Sequence, residues 1–328
     1  MIAFLLLTAP GCSPAPRWIA VAGRPDVALF DRQLRPTGGL RLDAPATALE
    51  GAGDGLGMLI GSTVGAQGSV SWVRRTDGVT ILQRDVGSPV GGLWLDREGR
   101  RVFALKGGPA GSLGILLADR LTEIQTIPVC SEPVGLAFAP DGDRVYLTCR
   151  PGAVVEVDTR LGIVVKSAWV GADSGRACGA GRGDLSANGT LLYVPCAATG
   201  RLLYLDRATL KPWDSLTVGA GAAVTAVTPR AVAVILLPDS NRVRLVNLRS
   251  KTLVAELAAP HPVDVALSAD GRLAFIAAAG RGGADGELVE VSTQSGDVLG
   301  RATVPGGGRA VYVWPGRRDT RMRWVTRP

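Results

Sequence analysis

The sequence predicts an all-β protein, a seven-bladed β-propeller of four-stranded antiparallel blades. Three features indicate this fold: short apolar runs, abundant glycine and proline between them, and a unit that recurs along the chain. Apolar runs of about four to eight residues, bounded by turn residues, are typical of strands. The 328 residues include 44 Gly and 21 Pro, and 46% are hydrophobic and 20% charged, which indicates a folded chain.

A glycine followed four positions later by an aromatic residue marks the recurring unit. These pairs are Gly99/Phe103, Gly142/Tyr146, Gly189/Tyr193 and Gly271/Phe275. Their spacing gives a period of about 40 to 48 residues, which is typical of propeller blades. Near residue 230 the glycine turn is replaced by Thr228-Pro229-Arg230, yet the strand "AVAVILL" follows in phase.

The unit from Glu132 to Val170 shows all four strands of one blade. Strand A is "VGLAFAP", strand B is "RVYLTC" after the Asp141-Gly142 turn, strand C is "VVEVDT" and strand D is "IVVKSAWV". Seven runs have the pattern of strand C, so seven blades are predicted. They are "VALFD" (27–31), "SVSWV" (69–73), "LGILLAD" (113–119), "VVEVD" (154–158), "LLYLD" (202–206), "VRLVN" (243–247) and "ELVEV" (287–291).

The two ends of the chain are predicted to share one blade. The first unit begins at strand B, "RWIAVAG", and the last offers a strand A, "RAVYVWP" (309–315). If this strand A completes the N-terminal blade, the ring closes without free sheet edges at its seam. "MRWVTRP" at the C-terminus also resembles strand B, so the sequence leaves two candidates for the closing strand. The predicted domains are a signal and tether at 1–17 and the propeller at 18–328.

The stretches "PVGLAFAPDGDRVYLTC", "VVEVDTRLGIVV" and "HPVDVALSADGRLAFIA" resemble the YVTN-repeat β-propeller family. Its repeat runs from proline through a small apolar strand, an Asp-Gly turn and an aromatic-containing strand to a strand ending in Asp. The resemblance covers about residues 45–306 and weakens at 51–75 and 222–240. It implies a seven-bladed fold and a bacterial envelope location. The family motif is structural and implies no catalytic residue.

The N-terminal stretch "MIAFLLLTAPGCSPAPRW" resembles a bacterial lipoprotein signal. An apolar run precedes small residues and Cys12, which would become the lipidated residue. The stretch lacks a positive first region, which an upstream start codon would explain. A cleaved secretory signal and no export are the alternatives. The expected location is the cell envelope, with membrane attachment through a lipid anchor only.

The other four cysteines form two pairs with similar spacing, Cys130 with Cys149 and Cys178 with Cys196. The first cysteine of each pair lies in the loop entering strand A, and the second ends strand B. These points lie at the same end of adjacent strands about 4.8 Å apart, within reach of a disulfide. Two disulfides within blades are therefore predicted. Pairing between the two blades and a four-cysteine zinc site are the alternatives, although no Cys-x-x-Cys knuckle is present.

The D-to-A and B-to-C loops of a propeller share one end of the central channel, where ligands commonly bind. Here these loops carry a slight excess of basic over acidic residues. The predicted ligand-binding candidates are His261, Arg309, Arg150, Arg176, Arg182 and Arg281. Two glycine-rich loops, 171–184 and 278–286, place backbone amides near arginines, so they could hold a phosphate or carboxylate; a flexible solvated loop is the alternative.

No haem, nucleophile-elbow or calcium motif is present, so no cofactor, metal site or catalytic residue is predicted. The leading hypothesis is an envelope scaffold that binds a protein or a small anionic ligand on the loop face. A lactonase-like hydrolase with its site at the channel mouth is the first alternative. Binding of single-stranded nucleic acid, suggested by the net charge of +7, is the second.

Overall fold

The computed structural model describes residues 18–314 except 25, 53–54, 97, 109, 172–176 and 281–283. In this part of the chain every regular element is a β-strand, apart from one 3-10 turn at Pro238–Ser240. The all-β prediction is confirmed. The described residues include no helix long and apolar enough to cross a bilayer.

The strands follow one another in sets of four along the chain. In chain order they are β1 (Trp18–Ala22), β2 (Val27–Phe30), β3 (Pro36–Leu40), β4 (Ala46–Gly51), β5 (Gly57–Val64), β6 (Gln67–Arg74), β7 (Thr80–Asp85), β8 (Val90–Leu95), β9 (Arg101–Lys106), β10 (Ser112–Leu117), β11 (Glu123–Pro128), β12 (Pro133–Phe138), β13 (Arg144–Cys149), β14 (Ala153–Asp158), β15 (Ile163–Trp169), β16 (Asp184–Leu185), β17 (Leu191–Cys196), β18 (Arg201–Asp206), β19 (Pro212–Thr217), β20 (Val224–Val227), β21 (Val232–Leu237), β22 (Arg242–Asn247), β23 (Thr252–Ala258), β24 (Pro262–Leu267), β25 (Leu273–Ala278), β26 (Gly286–Ser292), β27 (Val298–Val304) and β28 (Ala310–Trp314).

These strands form seven four-stranded antiparallel sheets, so the seven-bladed prediction is confirmed. Blade 1 has the order β28-β1-β2-β3, and blades 2 to 7 each contain four consecutive strands from β4 onwards. The A strands of consecutive blades (β28, β4, β8, β12, β16, β20 and β24) contact one another in a closed cycle. The A strands therefore surround the central channel.

The ring closes as predicted, through the C-terminal strand. β28 pairs with β1, with Trp314 opposite Trp18 and Ala310 opposite Ala22. "RWIAVAG" is thus the closing strand B. The competing stretch "MRWVTRP" lies outside the described residues.

The apolar core is divided among the seven seams between blades. Each of seven clusters of buried residues draws on two neighbouring blades. At the seam between blades 3 and 4, for example, Phe103 of β9 packs with Val145 and Leu147 of β13. A blade cannot bury both its faces alone, so closure of the ring completes the core.

The turn between strands A and B repeats one backbone conformation. Gly142 and Gly271 have φ of 79° and 68°, and Ala231 takes the same place in blade 6 with φ of 62°. In the Asp-Gly turn of blade 4, Oδ1 of Asp141 accepts a hydrogen bond of 3.1 Å from the backbone N–H of Asp143. The aspartate therefore stabilises the turn and the glycine permits it. Because Ala231 adopts the same backbone conformation, strand B of blade 6 begins at the same place in the repeat without a glycine.

The turn between strands C and D has a positive φ at one position in all seven blades, which the sequence analysis did not detect. These residues are Leu34 (59°), Gly78 (72°), Leu121 (50°), Gly162 (66°), Leu210 (56°), Lys251 (57°) and Gly296 (80°). The three leucines are at most 6% exposed. Burial of a leucine contributes roughly 1.5–3 kcal/mol, which offsets the roughly 1–2 kcal/mol cost of this conformation.

The aspartate that ends strand C caps the same turn. Oδ1 of Asp158 accepts hydrogen bonds from the backbone N–H groups of Leu161 (2.8 Å) and Arg160 (2.9 Å). These bonds, that from Leu161 first, hold the pKa of Asp158 below its ordinary value. The strand-ending aspartate of the repeat thus has a structural role in this blade.

Candidate binding face and channel

The D-to-A and B-to-C loops lie together at one end of the ring, here called the loop face, and the other turns form the opposite face. Two disulfides fix parts of the loop face. Cys130 is bonded to Cys149 and Cys178 to Cys196, with Cα–Cα distances of 6.3 and 5.0 Å. Both predicted bridges are confirmed, and the alternatives of cross-pairing and a four-cysteine zinc site are excluded.

The segment after Cys178 joins three neighbouring blades through its backbone. The N–H of Gly179 donates to the Pro151 carbonyl in blade 4 at 2.7 Å, and the N–H of Gly181 donates to the Pro195 carbonyl in blade 5 at 2.8 Å. The N–H of Arg182 donates to the carbonyl of residue 223 of blade 6, and the carbonyl of Arg182 accepts from the N–H of residue 225, both at 2.8 Å. The disulfide and these bonds hold Arg182 in a fixed place beside the channel.

The Arg182 side chain reaches from blade 5 to blade 7. Its Nη2 lies 2.5 Å from Oδ1 of Asp264 and donates to the Val265 carbonyl at 3.3 Å. Its stem passes the inner strand of blade 4 at Gly135, where an added Cβ would lie 2.5 Å from Cγ of Arg182. An ion pair therefore stands in the channel near the loop face, and the Arg182 guanidinium is already partnered.

Asp264 also connects blade 7 to blade 1. Its Oδ1 accepts a hydrogen bond from the N–H of Val265, and its Oδ2 accepts one from the N–H of Val311, both at 2.8 Å. Asp184 does the same between blades 5 and 6, because its Oδ2 accepts from the N–H of Val227 at 2.8 Å. Both carboxylates therefore join inner strands of neighbouring blades, a role that the sequence analysis predicted for neither residue.

His261 occupies a position that recurs in another blade. Its φ is 46°, and its carbonyl accepts a hydrogen bond of 3.1 Å from the N–H of Ala279. Glu132 has a φ of 50°, and its carbonyl accepts from the N–H of Arg150 in the same way. The N–H of His261 donates to Oδ1 of Asn241 at 2.9 Å. The backbone of His261 is thus structural, while its side chain is exposed on the loop face.

Several arginines of the loop face have side chains that form no hydrogen bond or ion pair within the described residues. Arg150 is exposed in a B-to-C loop, and Arg309 is half-buried where the chain enters the inner strand β28. The others are Arg24, Arg41 and Arg201, of which Arg41 was not singled out from the sequence. The position of Arg41 in the D-to-A loop between β3 and β4 could have placed it on the loop face. Arg176 and Arg281 lie outside the described residues.

The other cations of this face that the structure describes have acidic partners. Nζ of Lys106 lies 2.7 Å from Oε1 of Glu123, and Arg242 lies 3.1 Å from Glu256. A hydrogen bond from the Arg244 guanidinium holds the pKa of Glu256 below its ordinary value. The described residues contain no cluster of His, Cys, Asp and Glu that could hold a metal ion. Among the described basic side chains of this face, the unpartnered arginines and His261 are therefore available to a ligand.

The fold is that of a seven-bladed β-propeller, and its loop face carries several arginines without partners among the described residues. No protein-family model matches the chain, and no curated protein matches it in sequence, so the resemblance to the YVTN-repeat family remains a prediction.

Three solved structures share the fold at low sequence identity. A functionally unknown protein from Desulfotomaculum acetoxidans is 14% identical, with a TM-score of 0.72 over 90% of this chain and 98% of that one. A candidate 6-phosphogluconolactonase from Bacteroides uniformis is 14% identical, with a TM-score of 0.73 over 92% and 100%. Hydrazine synthase from Kuenenia stuttgartiensis is 16% identical, with a TM-score of 0.67 over 93% and 100%. These likenesses establish the fold alone.

Proposed function

We propose that this protein is an exported, lipid-anchored β-propeller whose loop face binds a partner through phosphate or carboxylate groups. The observation that supports this most is the set of unpartnered arginines on the loop face, with Arg309 where the chain enters the inner strand of blade 1 and Arg150 in the B-to-C loop of blade 4. A guanidinium binds such oxyanions through two parallel hydrogen bonds. Exposed Asp26, Asp43 and Glu132 lie in the same loops, so the expected binding depends on paired contacts and not on bulk charge.

The chemistry of the channel favours binding over hydrolysis. Asp184 and Asp264 use their carboxylate oxygens to hold backbone N–H groups of neighbouring blades. Asp264 is also paired with Arg182. A general base needs a free lone pair within reach of its substrate. His261 is the single histidine of the chain, and its side chain has no hydrogen-bonded partner among the described residues to orient it.

Export is supported by the two disulfides, because such bonds persist in oxidising compartments. Cys12, the proposed lipidation site, lies outside the described residues. The chain enters β1 at Trp18, on the opposite face. Six residue steps from Cys12 span at most about 22 Å, so an anchor there would hold the opposite face near the membrane and the loop face away from it.

The anchor is tested by cell fractionation of the Cys12→Ser variant. We expect this variant to move from the membrane fraction to the soluble envelope fraction, because it has no thiol to lipidate. Substitution of the neighbouring Ser13 by alanine serves as the control and should leave the protein in the membrane fraction. A Cys12→Ser variant that stays there would remove the anchor from the proposal.

Oxyanion binding is tested by calorimetric titration with pyrophosphate, with glucose as the neutral probe. Arg309→Ala and Arg150→Ala are each expected to raise the Kd for pyrophosphate about tenfold or more, since a charge-assisted hydrogen bond contributes about 1.5–3 kcal/mol. Arg120→Ala is the matched control. Arg120 lies on the opposite face beside Asp119 and should leave the Kd unchanged within about twofold.

Three outcomes would contradict this function. The first is unchanged affinity in both loop-face variants, or no saturable pyrophosphate binding by the intact protein. The second is turnover of a lactone that is lost in His261→Ala, which would indicate the hydrolase. The third is binding of an oligothymidylate whose affinity falls steeply with salt, which would indicate nucleic-acid binding.

A further inference from the structure

A separate cavity lies on the opposite face, between blades 1 and 2. Its volume is about 360 Å³, which is within the range of sites for small molecules. It is lined by Trp18, Phe30, Asp31, Thr37, Gly55, Leu56, Arg75 and Trp314. These residues come from both ends of the described chain and meet because the ring closes. The loop-face arginines do not contribute to this cavity.

One wall of the cavity is aromatic and fixed in place. Trp18 and Trp314 lie opposite each other in neighbouring strands, and their rings stack at 6.4 Å between centroids with 20° between planes. Gly55 lies against the indole of Trp314, because a Cβ added at Gly55 would come 2.6 Å from that ring. Leu56 at the rim is 61% exposed and adds an apolar side chain to the lining.

Arg75 brings an incompletely satisfied cation to this wall. Its guanidinium carbon lies 5.3 Å from the centroid of the Trp18 ring. Its Nε is buried and has no hydrogen-bond partner among the described residues. The neighbouring Arg74, by contrast, lies 3.0 Å from Asp77. Arg75 lines the cavity and forms no ion pair within the described residues, so an anion that accepts from its terminal guanidinium nitrogens would stabilise the site.

Asp31 limits the charge that the cavity accepts. Its Oδ1 receives hydrogen bonds from the backbone N–H groups of Gln33 (2.8 Å) and Arg35 (2.9 Å), so this carboxylate primarily caps a turn. Its negative charge nevertheless lines the same cavity as Arg75. One guanidinium opposed by one carboxylate suits a ligand with a single negative charge better than a multiply charged one.

We infer that this cavity binds a small organic monoanion with a planar apolar body, such as an aromatic carboxylate. The apolar body lies against the tryptophan wall and Leu56, and the carboxylate accepts hydrogen bonds from Arg75. The site is independent of the function proposed for the loop face, because the two lie at opposite ends of the ring.

The inference is tested by titrating the full chain with benzoate, benzyl alcohol and acetate. Benzoate should bind saturably and at least about tenfold more tightly than the other two. Benzyl alcohol lacks the carboxylate, and acetate lacks the aromatic ring. Arg75→Met keeps an apolar stem over Trp18 and should weaken benzoate binding about tenfold or more. Asp31→Asn keeps an oxygen that caps the turn but removes the negative charge, so it should tighten benzoate binding.

Two controls make the result specific to this cavity. Arg74→Met removes the adjacent arginine and should leave benzoate affinity unchanged, as should Arg120→Ala, which removes an exposed arginine paired with Asp119 outside the cavity. Arg75→Lys retains the charge and should bind with intermediate affinity, which separates lost recognition from lost folding. Equal affinity for benzoate and benzyl alcohol, full affinity in Arg75→Met, or no saturable benzoate binding would each overturn the inference.

Discussion

The Asp264→Ala variant is expected to lower the free energy of unfolding by about 2–4 kcal/mol. The substitution removes the carboxylate that pairs with Arg182 and accepts the backbone N–H of Val311. It leaves the Arg182 side chain, 19% exposed, without its anionic partner. Loss of one partner of a buried ion pair costs about 3–5 kcal/mol, and partial exposure reduces this value. Urea unfolding followed by tryptophan fluorescence measures the difference.

The matched control for this variant is Asp239→Ala. Asp239 is an exposed aspartate on the loop face, so its replacement should change the free energy of unfolding by less than about 0.5 kcal/mol. The double variant Arg182→Met/Asp264→Ala should be more stable than Asp264→Ala alone, because it removes the unpaired cation. If Asp264→Ala were no more destabilising than the control, the channel ion pair would not connect the blades.

Replacement of Cys130 and Cys149 by alanine is expected to lower the free energy of unfolding by about 3 kcal/mol. The bridge closes a loop with a sequence separation of 19 residues, and the chain-entropy model gives about this value for such a loop. The Cys178/Cys196 pair, with a separation of 18, should have a similar effect. Thermal and urea unfolding of both double variants measure it.

The control for the disulfide variants is Ser131→Ala, next to Cys130 and exposed. It should alter the free energy of unfolding by less than about 0.5 kcal/mol. Stability equal to that of the unmodified protein in both double-alanine variants would show that the bridges do not constrain the unfolded chain.

The repeat and its cysteines could be predicted because they depend on local signals. The Asp141-Gly142 turn marks the start of strand B, and Cys149 ends that strand. The adjacency of strand ends then pairs Cys149 with Cys130. The leucines with a left-handed backbone conformation could not be predicted in this way. Leu121 has a side chain that strongly disfavours a φ of 50°, and only its burial at a blade seam stabilises it there.

The candidate sites were harder to predict than the fold because they depend on ring closure. The sequence places Arg182 on the loop face, but its partner Asp264 lies two blades further on. The structure places Asp264 in the channel ion pair. The cavity on the opposite face was missed, because Trp18 and Trp314 from the two ends of the described chain form its wall.

Each repeat of the sequence forms one blade, so the cysteines pair within blades. Mass spectrometry of a non-reduced tryptic digest tests this pairing, because Arg120, Arg144, Arg160, Arg176, Arg182 and Arg201 place the four cysteines on separate peptides. We expect peptide 121–144 linked to 145–160, and 177–182 linked to 183–201. A link between 121–144 and either of the last two peptides, or four free thiols in protein from an oxidising compartment, would contradict the claim.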